Sequence, residues 1–300
     1  MSNVCDQNQV SVIVVNYNAG EALFGCVTSV MGRVGEIVIV DNASRDQSIE
    51  RVENKFGSDN GVTVIKLAEN LGFSKACNIG FQHASGRYLF FLNPDCVVEP
   101  DTIQTLCAGL ENHPGAGMAG GLLLNPDGSE QAGGRRLVPT PWRSFVKAFG
   151  FSFLGKFFPK LFSDFSLHDQ SLPSQPVFVE AISGACMFVS REAIENVGLL
   201  DEGYFMHCED LDWCMRFREK DWRIVFVPHA KVMHAKGTCS RSRPIFVEWH
   251  KHKGMARFYK KFFYDKYPRI LMWPVLLSVW LRFMLVAIYY SCRHVLSMRG

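Results

Sequence analysis

Two aspartates of this 300-residue chain stand directly after apolar runs, where buried strands are predicted to end. Asp41 follows the run EIVIV, and Asp95 follows the run YLFFL after an Asn-Pro pair. A carboxylate in such a position can accept hydrogen bonds from a ribose or base, or bind a hard divalent cation such as Mg²⁺ or Mn²⁺. A turn or cap residue is the alternative interpretation, and position alone leaves both open.

A third group of acids lies in the stretch HCEDLDWCMR, where Glu209, Asp210 and Asp212 fall at the start of a predicted helix. The helix macrodipole favours acids in a first turn, which is a purely structural explanation. The functional interpretation is a general base that takes a proton from a hydroxyl, tuned by crowding of like charges. His234, in KVMHAKG after a strand, is either a packed structural residue or a ligand for a metal or phosphate.

Several function classes lack their signatures in the sequence. The turn after the first strand reads NYNAGE rather than G-x-G-x-x-G, and no GKS or GKT loop occurs, which argues against dinucleotide and P-loop sites. The ten cysteines form no C-x-x-C pair and mostly lie in apolar stretches, so we expect free thiols in a reducing compartment rather than a zinc site. The net charge of +3 gives no reason to expect nucleic acid, and the polar start predicts no signal peptide.

Alternating strands and helices are predicted to position these residues. The predicted strands are 10–15, 36–40, 62–67 and 88–92, and the predicted helices are 21–31, 47–56, 74–83 and 102–111. This order is typical of an α/β fold with a Rossmann-like, mainly parallel sheet flanked by helices. Such sheets bind ligands at the carboxyl ends of their strands, where Asp41 and Asp95 are expected.

In the second half of the sequence, the residue pattern predicts further strands, an irregular stretch and a distinct C-terminal tail. Strands are predicted at 116–124, within 176–190 and at 222–228, with an irregular, proline- and phenylalanine-rich stretch at 137–176. Basic and aromatic residues then lead into an almost wholly apolar stretch, 270–290, which is long enough to cross a bilayer. Arg282 and Pro274 inside it make a partly inserted helix, lying in the membrane interface, an alternative to a span, and a buried or oligomerisation helix is a third interpretation.

Five stretches in order resemble the family 2 glycosyltransferases with the GT-A fold. They are VSVIVVNYNAGEAL, EIVIVDNASRDQS, ENLGFSKACNIGFQHASGRYLFFLNPD, GACMFVSREAIENVGLLDEGYF and EDLDWCMRFREKDWRIVFVPHAKVMH. The stretches DNASRD, NLGF with CNIG, and NPD are most similar to the rhamnosyltransferase branch of that family. The resemblance implies a GT-A domain at 1–245, with a nucleotide-binding half at 1–124 and an acceptor-binding half at 125–245. A helical tail at 246–300 would associate with the membrane.

The resemblance also implies roles for individual residues. Asp210 would be the catalytic base with Glu209 beside it, and Asp95 and His234 would hold the metal, Mg²⁺ or Mn²⁺. The nucleotide-sugar pocket would be lined by Asn16, Tyr17, Asn18, Asp41, Asn42, Asn70, Gly72, Phe73, Asn78, Asn93 and Asp95. Asn93 departs from the family's Asp-x-Asp metal motif at its first position, so weaker metal binding is expected there.

The implied activity is an inverting transfer of L-rhamnose from dTDP-L-rhamnose to a lipid-linked saccharide, in cell-wall or O-antigen synthesis. A UDP-hexose or UDP-N-acetylhexosamine donor is the alternative within the same fold. A non-catalytic nucleotide-sugar-binding membrane scaffold is the alternative from another class. The tail predicts attachment to the cytoplasmic face of the inner or plasma membrane, and an oligomer is compatible with the sequence.

Overall fold

The computed structural model describes residues 6–57, 60–148, 150–158, 165–235 and 243–297. Its strands are β1 (Val10–Asn16), β2 (Glu36–Asp41), β3 (Val62–Lys66), β4 (Tyr88–Leu92), β5 (Cys96–Val98), β6 (Ala116–Leu124), β7 (Arg135–Arg136), β8 (Val177–Val179), β9 (Ala181–Ile182), β10 (Cys186–Ser190) and β11 (Arg223–His234). Its α-helices are α1 (Glu21–Val30), α2 (Ser48–Phe56), α3 (Phe73–His83), α4 (Thr102–Glu111), α5 (Pro141–Ala148), α6 (Arg191–Val197), α7 (Glu209–Glu219), α8 (Pro244–Phe263) and α9 (Arg269–Ser297). A 3₁₀ turn at Phe151–Lys156 follows α5.

One large sheet carries the fold, in the order β3-β2-β1-β4-β10-β6-β11-β5, with β8 paired to β11. The first four strands of this order are mutually parallel, as the alternation of strands and helices predicts. In the second half the sheet is mixed, because β10 runs antiparallel to both β4 and β6. A separate two-stranded sheet pairs β7 with β9.

Both faces of the sheet are buried, which explains the unbroken apolar runs of its strands. In β4, Phe90 and Leu92 face a core cluster that includes α1, α2 and α4. Leu89 and Phe91, on the opposite face, pack with residues of α3, α6, α7 and α8. Since side chains alternate along a strand, burial on both faces requires apolar residues at every position.

The cysteines follow the expectation of free thiols, with one exception. Six buried cysteines and the exposed Cys292 are free in the described part of the chain. Cys107, in α4, is instead disulfide-bonded, so the prediction of free thiols is wrong at that position.

The carboxyl ends of the first strands form the edge where the predicted site residues gather. Asn16 at the end of β1 and Asp41 at the end of β2 are register partners. At the far side of the sheet, His234 ends β11 and pairs with Cys96, the residue after Asp95. The sheet therefore brings residues from four separate stretches of sequence to one edge.

The C-terminal residues divide into a core helix and an exposed helix. The boundary predicted after residue 245 falls inside α8, and α8 buries Phe258, Tyr259, Phe262 and Phe263 in the second core cluster. By contrast, α9 packs along α8 and leaves most of its apolar side chains exposed. Within the described residues, α9 is the helix whose length and apolar composition, over Arg269–Arg293, would allow it to cross a membrane.

Candidate active site

The first part of the site is a hydrogen-bonded cluster at the ends of β1 and β2. The buried Asn16 donates from Nδ2 to Asp41 Oδ1 at 2.8 Å and to the hydroxyls of Ser44 and Ser48, both at 2.9 Å. Asp41 Oδ2 accepts from the Ser44 amide at 3.2 Å. The loop after β2 is thereby held against the end of β1, with the Asp41 carboxylate fixed at the sheet edge.

Two further asparagines of the predicted pocket shape the loop before α3. Asn42 accepts from the Leu71 amide at 2.8 Å and donates to Gly72 O at 3.2 Å, and Asn70 accepts from the Gly72 amide at 3.0 Å. Gly72 has φ +86°, and a Cβ on it would lie 2.6 Å from Phe205 O. No other residue fits there, because the positive φ and the close approach both exclude a side chain.

The remaining residues predicted to line this pocket have different surroundings. Asn18 adopts φ +51°, its Oδ1 accepts from the Arg45 amide at 2.7 Å, and Tyr17 beside it is half-buried. Phe73 begins α3 half-buried, and its amide donates to Phe205 O at 2.7 Å. Asn78 is buried. Its side-chain amide donates to Leu200 O and Glu202 Oε1 and accepts from the Leu200 backbone amide. The contacts of Asn78 thus fix the segment before α7 against α3.

The second part of the site pairs Asp95 with His234. Asp95 Oδ1 lies 3.2 Å from His234 Nε2, and both side chains are buried. The nearby Cys96 thiol completes a group whose possible ligand atoms all lie within 4.8 Å of one another. Both residues predicted as metal ligands therefore meet, although 139 positions of sequence separate them.

The hydrogen bonds of His234 indicate which of its nitrogens faces Asp95. Gln131 donates from Nε2 to His234 O at 3.2 Å and to Asn125 Oδ1 at 3.0 Å, which turns its amide oxygen toward His234 Nδ1 at 2.7 Å. An amide oxygen only accepts, so Nδ1 carries a proton. With Nδ1 protonated, His234 Nε2 presents a lone pair toward the Asp95 carboxylate, so both atoms are placed to serve as ligands of one cation. The carboxylate of Asp95, the imidazole of His234 and the thiol of Cys96, with Gln131 fixing the tautomer of His234, form a ligand set that fits a divalent metal.

A turn at 183–185 joins the Asp95 region to the third part of the site. Ala185 O accepts from the Asn93 amide at 3.0 Å, while the neighbouring Gly184 amide donates to Asp210 Oδ2 at 3.0 Å. The same oxygen of Asp210 receives an ion pair from the guanidinium of Arg136. The turn is thus bonded on one side to Asn93, two residues before Asp95, and on the other side to Asp210.

Glu209 lies beside Asp210 in the first turn of α7 and is buried without a hydrogen-bond partner on Oε2. The pKa of Glu209 is raised to about 8, mainly by burial and secondly by repulsion from Asp210. The preceding residues, His207 and Cys208, both adopt left-handed backbone conformations, with φ +65° and +70°. Strain of this kind persists only where the surroundings enforce it and is common at functional sites.

Besides Cys96, two residues of the site have no counterpart among the sequence predictions. Arg136, in β7, contacts Asp210. Gln131, in the loop before β7, orients His234. Neither lies at the end of an apolar run, and their partners are 74 and 103 positions away. Only the basic pair Arg135-Arg136 was a possible signal.

Comparison with known proteins identifies the family of the chain and several relatives. Residues 11–197 match the model of glycosyl transferase family 2. The chain is 27% identical over 239 residues to N-acetylglucosaminyl-diphospho-decaprenol L-rhamnosyltransferase of Mycobacterium tuberculosis, covering 75% of each chain. It is 23% identical over 275 residues to dTDP-rhamnosyl transferase RfbF of Shigella flexneri, covering 84% of this chain and 77% of the relative.

Among solved structures, the fold is similar to that of a mannosyltransferase from Pyrobaculum calidifontis in complex with GDP-Man and Mn²⁺. The TM-score is 0.55 at 16% identity, over 97% of this chain and 80% of the other. At this identity the comparison establishes the fold alone, which agrees with the GT-A architecture expected from the sequence.

Proposed function

Because the chain belongs to glycosyl transferase family 2, we propose that it transfers L-rhamnose from dTDP-L-rhamnose to a lipid-linked saccharide with inversion at the anomeric carbon. The observation that supports the proposal is the close pair of Asp95 and His234, together with the 183–185 turn, which bonds to Asn93 on one side and to Asp210 on the other. The names of two relatives, both rhamnosyltransferases, support the choice of sugar.

The donor diphosphate would bind at the edge of the sheet, beside the Asp95–His234 pair. Held by these two residues, a divalent cation would supply Lewis acidity toward the departing diphosphate. The buried Asp41 and Asn16 lie at the ends of β2 and β1, where α/β sheets bind nucleotides. Asp41 would fix the nucleoside, with Asn42, Asn70 and Gly72 shaping the adjoining loop.

Asp210 would act as the general base on the acceptor hydroxyl. Its carboxylate is held by the Gly184 amide and Arg136, so its direction is set before substrate arrives. When the hydroxyl oxygen attacks the anomeric carbon, its proton passes to Asp210 while the bond to the diphosphate breaks on the opposite face. Glu209, with its raised pKa, would be protonated beside it and keep a second negative charge away from the base.

The acceptor is proposed to be membrane-bound because α9 exposes a long apolar surface. Leu277, Leu281 and Leu285 are among its exposed side chains. One relative is named for a diphospho-decaprenol saccharide, which is a lipid-linked acceptor. The enzyme would therefore work at the cytoplasmic face of the membrane, in the synthesis of a cell-surface polysaccharide.

A panel of nucleotide sugars tests the proposal. The full chain is incubated with Mg²⁺ or Mn²⁺, a lipid-linked saccharide and dTDP-L-rhamnose, UDP-hexoses or UDP-N-acetylhexosamines in turn, and the extracted lipid is analysed by mass spectrometry. Rhamnose addition that chelation abolishes is expected. Transfer from a UDP-sugar would overturn the donor assignment, and no transfer or hydrolysis of any donor would point to a non-catalytic binding protein.

The matched variant is Asp210→Asn, which keeps size and removes basicity. We expect its transfer rate to fall by about a hundredfold or more, with dTDP binding by calorimetry nearly unchanged. A variant that transfers at the wild-type rate would refute the assignment of the base.

A further inference from the structure

The segment between the small sheet and the second half of the domain has an unusual composition. Between Glu130 and Asp164 the sequence contains no acidic residue, yet it carries Arg143, Lys147 and Lys156 among Trp142 and many phenylalanines. Basic and aromatic residues without acids are typical of segments that lie on anionic membrane surfaces. The described part, residues 141–148 and 150–158, is called the aromatic segment below.

The aromatic segment turns its rings toward solvent. In α5, Val146 is fully buried, whereas Trp142 is 44% exposed and stacks on the exposed Phe145 at 5.6 Å between ring centroids. Beyond the helix, Phe153 is 61% and Phe157 74% exposed. Large contiguous apolar surfaces are rare on soluble monomers and mark sites of interaction.

The position of the aromatic segment connects it to α9. Ser144 of α5 hydrogen-bonds to the Tyr259 hydroxyl of α8 at 2.6 Å. Tyr259 belongs to the same core cluster as Met272, in the first turn of α9, and Val275 packs against that cluster. The aromatic segment and the exposed helix α9 therefore both adjoin α8, and their apolar surfaces extend from one part of the fold.

The aromatic segment also begins beside the candidate active site. Arg136, which contacts Asp210, precedes the start of α5 at Pro141 by only five positions. A saccharide whose hydroxyl reaches Asp210 would therefore have its lipid end within reach of the aromatic segment.

We propose that the aromatic segment is a second membrane-contact surface, which inserts its exposed rings into the interface of an anionic bilayer next to the acceptor entrance. The inference deepens the proposed function and rests on its membrane-bound acceptor. Lys147, whose exposed side chain lies over the Phe165 ring and donates to Ser166, would add positive charge at this surface toward anionic headgroups. Two contacts, the aromatic segment and α9, would fix the orientation of the site relative to the bilayer.

Lipid photocrosslinking tests this without any assay of activity. The full chain is bound to vesicles of phosphatidylcholine and phosphatidylglycerol that contain a diazirine phospholipid, irradiated and digested, and lipid adducts are mapped by mass spectrometry. Adducts are expected on residues 141–158 and on α9, with α2 (Ser48–Phe56), a surface helix of the opposite core face, as the unlabelled control. Adducts on α9 alone would overturn this inference and leave the proposed location intact, and adducts on neither would overturn both.

A double variant tests whether the aromatic segment contributes to binding of the lipid-linked acceptor. Phe153→Ser with Phe157→Ser should raise the KM for the lipid-linked acceptor by about tenfold or more, because each apolar ring lost from the interface weakens binding. The kcat toward a short-chain, water-soluble acceptor should not change. Leu172→Ser, at another exposed apolar position, is the control. Crosslinks between two copies through residues 141–158, or an unchanged KM, would instead overturn the membrane contact.

Discussion

Asp210 Oδ1 accepts from the amide of the neighbouring Leu211, whereas Asp210 Oδ2 has its partners on two segments that are distant in sequence. Gly184 holds one oxygen through a backbone amide, and Arg136 places a guanidinium on the same oxygen from β7. If Arg136 contacts the proposed base, Asp210, but not the diphosphate, its effect on the reaction would be to position the base. It would fix the direction of the Asp210 lone pair that receives the proton. On this view, Arg136 is a positioning residue for the proposed transfer.

Replacing Arg136 with methionine tests that role. Arg136→Met leaves Asp210 Oδ2 with the Gly184 amide as its partner, so we expect kcat to fall about a hundredfold while the KM for the donor stays nearly constant. Arg136→Lys should recover part of kcat, because it restores the charge without the planar fork of donors. Initial-rate kinetics measure both constants. A raised donor KM at unchanged kcat would show that Arg136 binds the donor diphosphate instead.

A second prediction at this scale concerns Glu209 and the dependence of stability on pH. Burial, with repulsion from Asp210, raises the pKa of Glu209 to about 8 in the folded protein, above its usual value of 4.5. Between these values the unfolded chain binds fewer protons at this residue than the native chain. The contribution of Glu209 to the free energy of unfolding must therefore decrease as pH rises from about 4.5 through 8.

Glu209→Gln removes this titration, so the stability of the variant relative to wild type should increase steadily between pH 5 and pH 8.5. Thermal unfolding of both proteins across that range measures the difference, and taking the difference cancels the other titrating groups. A constant difference across the range would mean that Glu209 ionises normally in the native state.

How far sequence predicts this site depends on whether its residues follow a local pattern. Asp41 ends β2 and Asp95 follows β4, whose apolar runs are readable, so their place at one edge follows from the parallel order of the first strands. The strand predicted at 222–228 extends to His234 in the structure, and its place in the mixed half of the sheet was not predicted. Arg136 and Gln131 could not be found this way, because β7 is two residues long and their partners are set by tertiary packing. The family resemblance supplied the role of Asp210, which its place in a helical first turn left undecided.

At the scale of elements, α8 supports the strained turn that begins α7. The Cys208 thiol lies 3.9 Å from Lys251 O, and Lys261 Nζ lies 2.6 Å from Asp212 Oδ2, which is fully buried. Arg257 and Lys261 also bind Asp201, before that turn. The helix predicted as the start of a membrane tail is therefore packed against the segment that carries Glu209 and Asp210.

Gly254 gives a direct test of this support. A Cβ at Gly254 would lie 2.8 Å from His207 O, so Gly254→Ala must displace either α8 or the turn that carries the acids. We expect transfer to fall several-fold or more while membrane association through α9 persists, as measured by activity and vesicle flotation. Gly25→Ala in α1 is the control, because its Cβ would meet only Val97 Cγ2 at an ordinary 3.8 Å. Unchanged transfer in Gly254→Ala would argue that α8 does not position the acids.

At the scale of the whole molecule, the tail predicted from the sequence as one unit has two structural roles. Its composition gave no sign of the division, because the aromatic residues of α8 that bind the core resemble those expected at a membrane interface. Phe258 is fully buried, whereas Ile270 at the start of α9 is 78% exposed. Arg282, in the middle of the apolar stretch, lies 3.4 Å from His252 of α8, so α9 lies along the domain rather than projecting from it.

Two truncations distinguish these roles. A chain that ends at Pro268 loses α9 but retains all of α8, so we expect it to fold cooperatively and to bind vesicles more weakly. A chain that ends at residue 245 also removes Phe258, Phe262 and Phe263 from the core. Since each large-to-small aromatic deletion in a core costs about 3–5 kcal/mol and native stability is only about 5–15 kcal/mol, this chain should not fold. Thermal unfolding and flotation on anionic vesicles measure both outcomes. The chain ending at Pro268 should still float partly with vesicles, because the aromatic segment remains. If the chain ending at 245 folds cooperatively, α8 is not required for the stability of the domain.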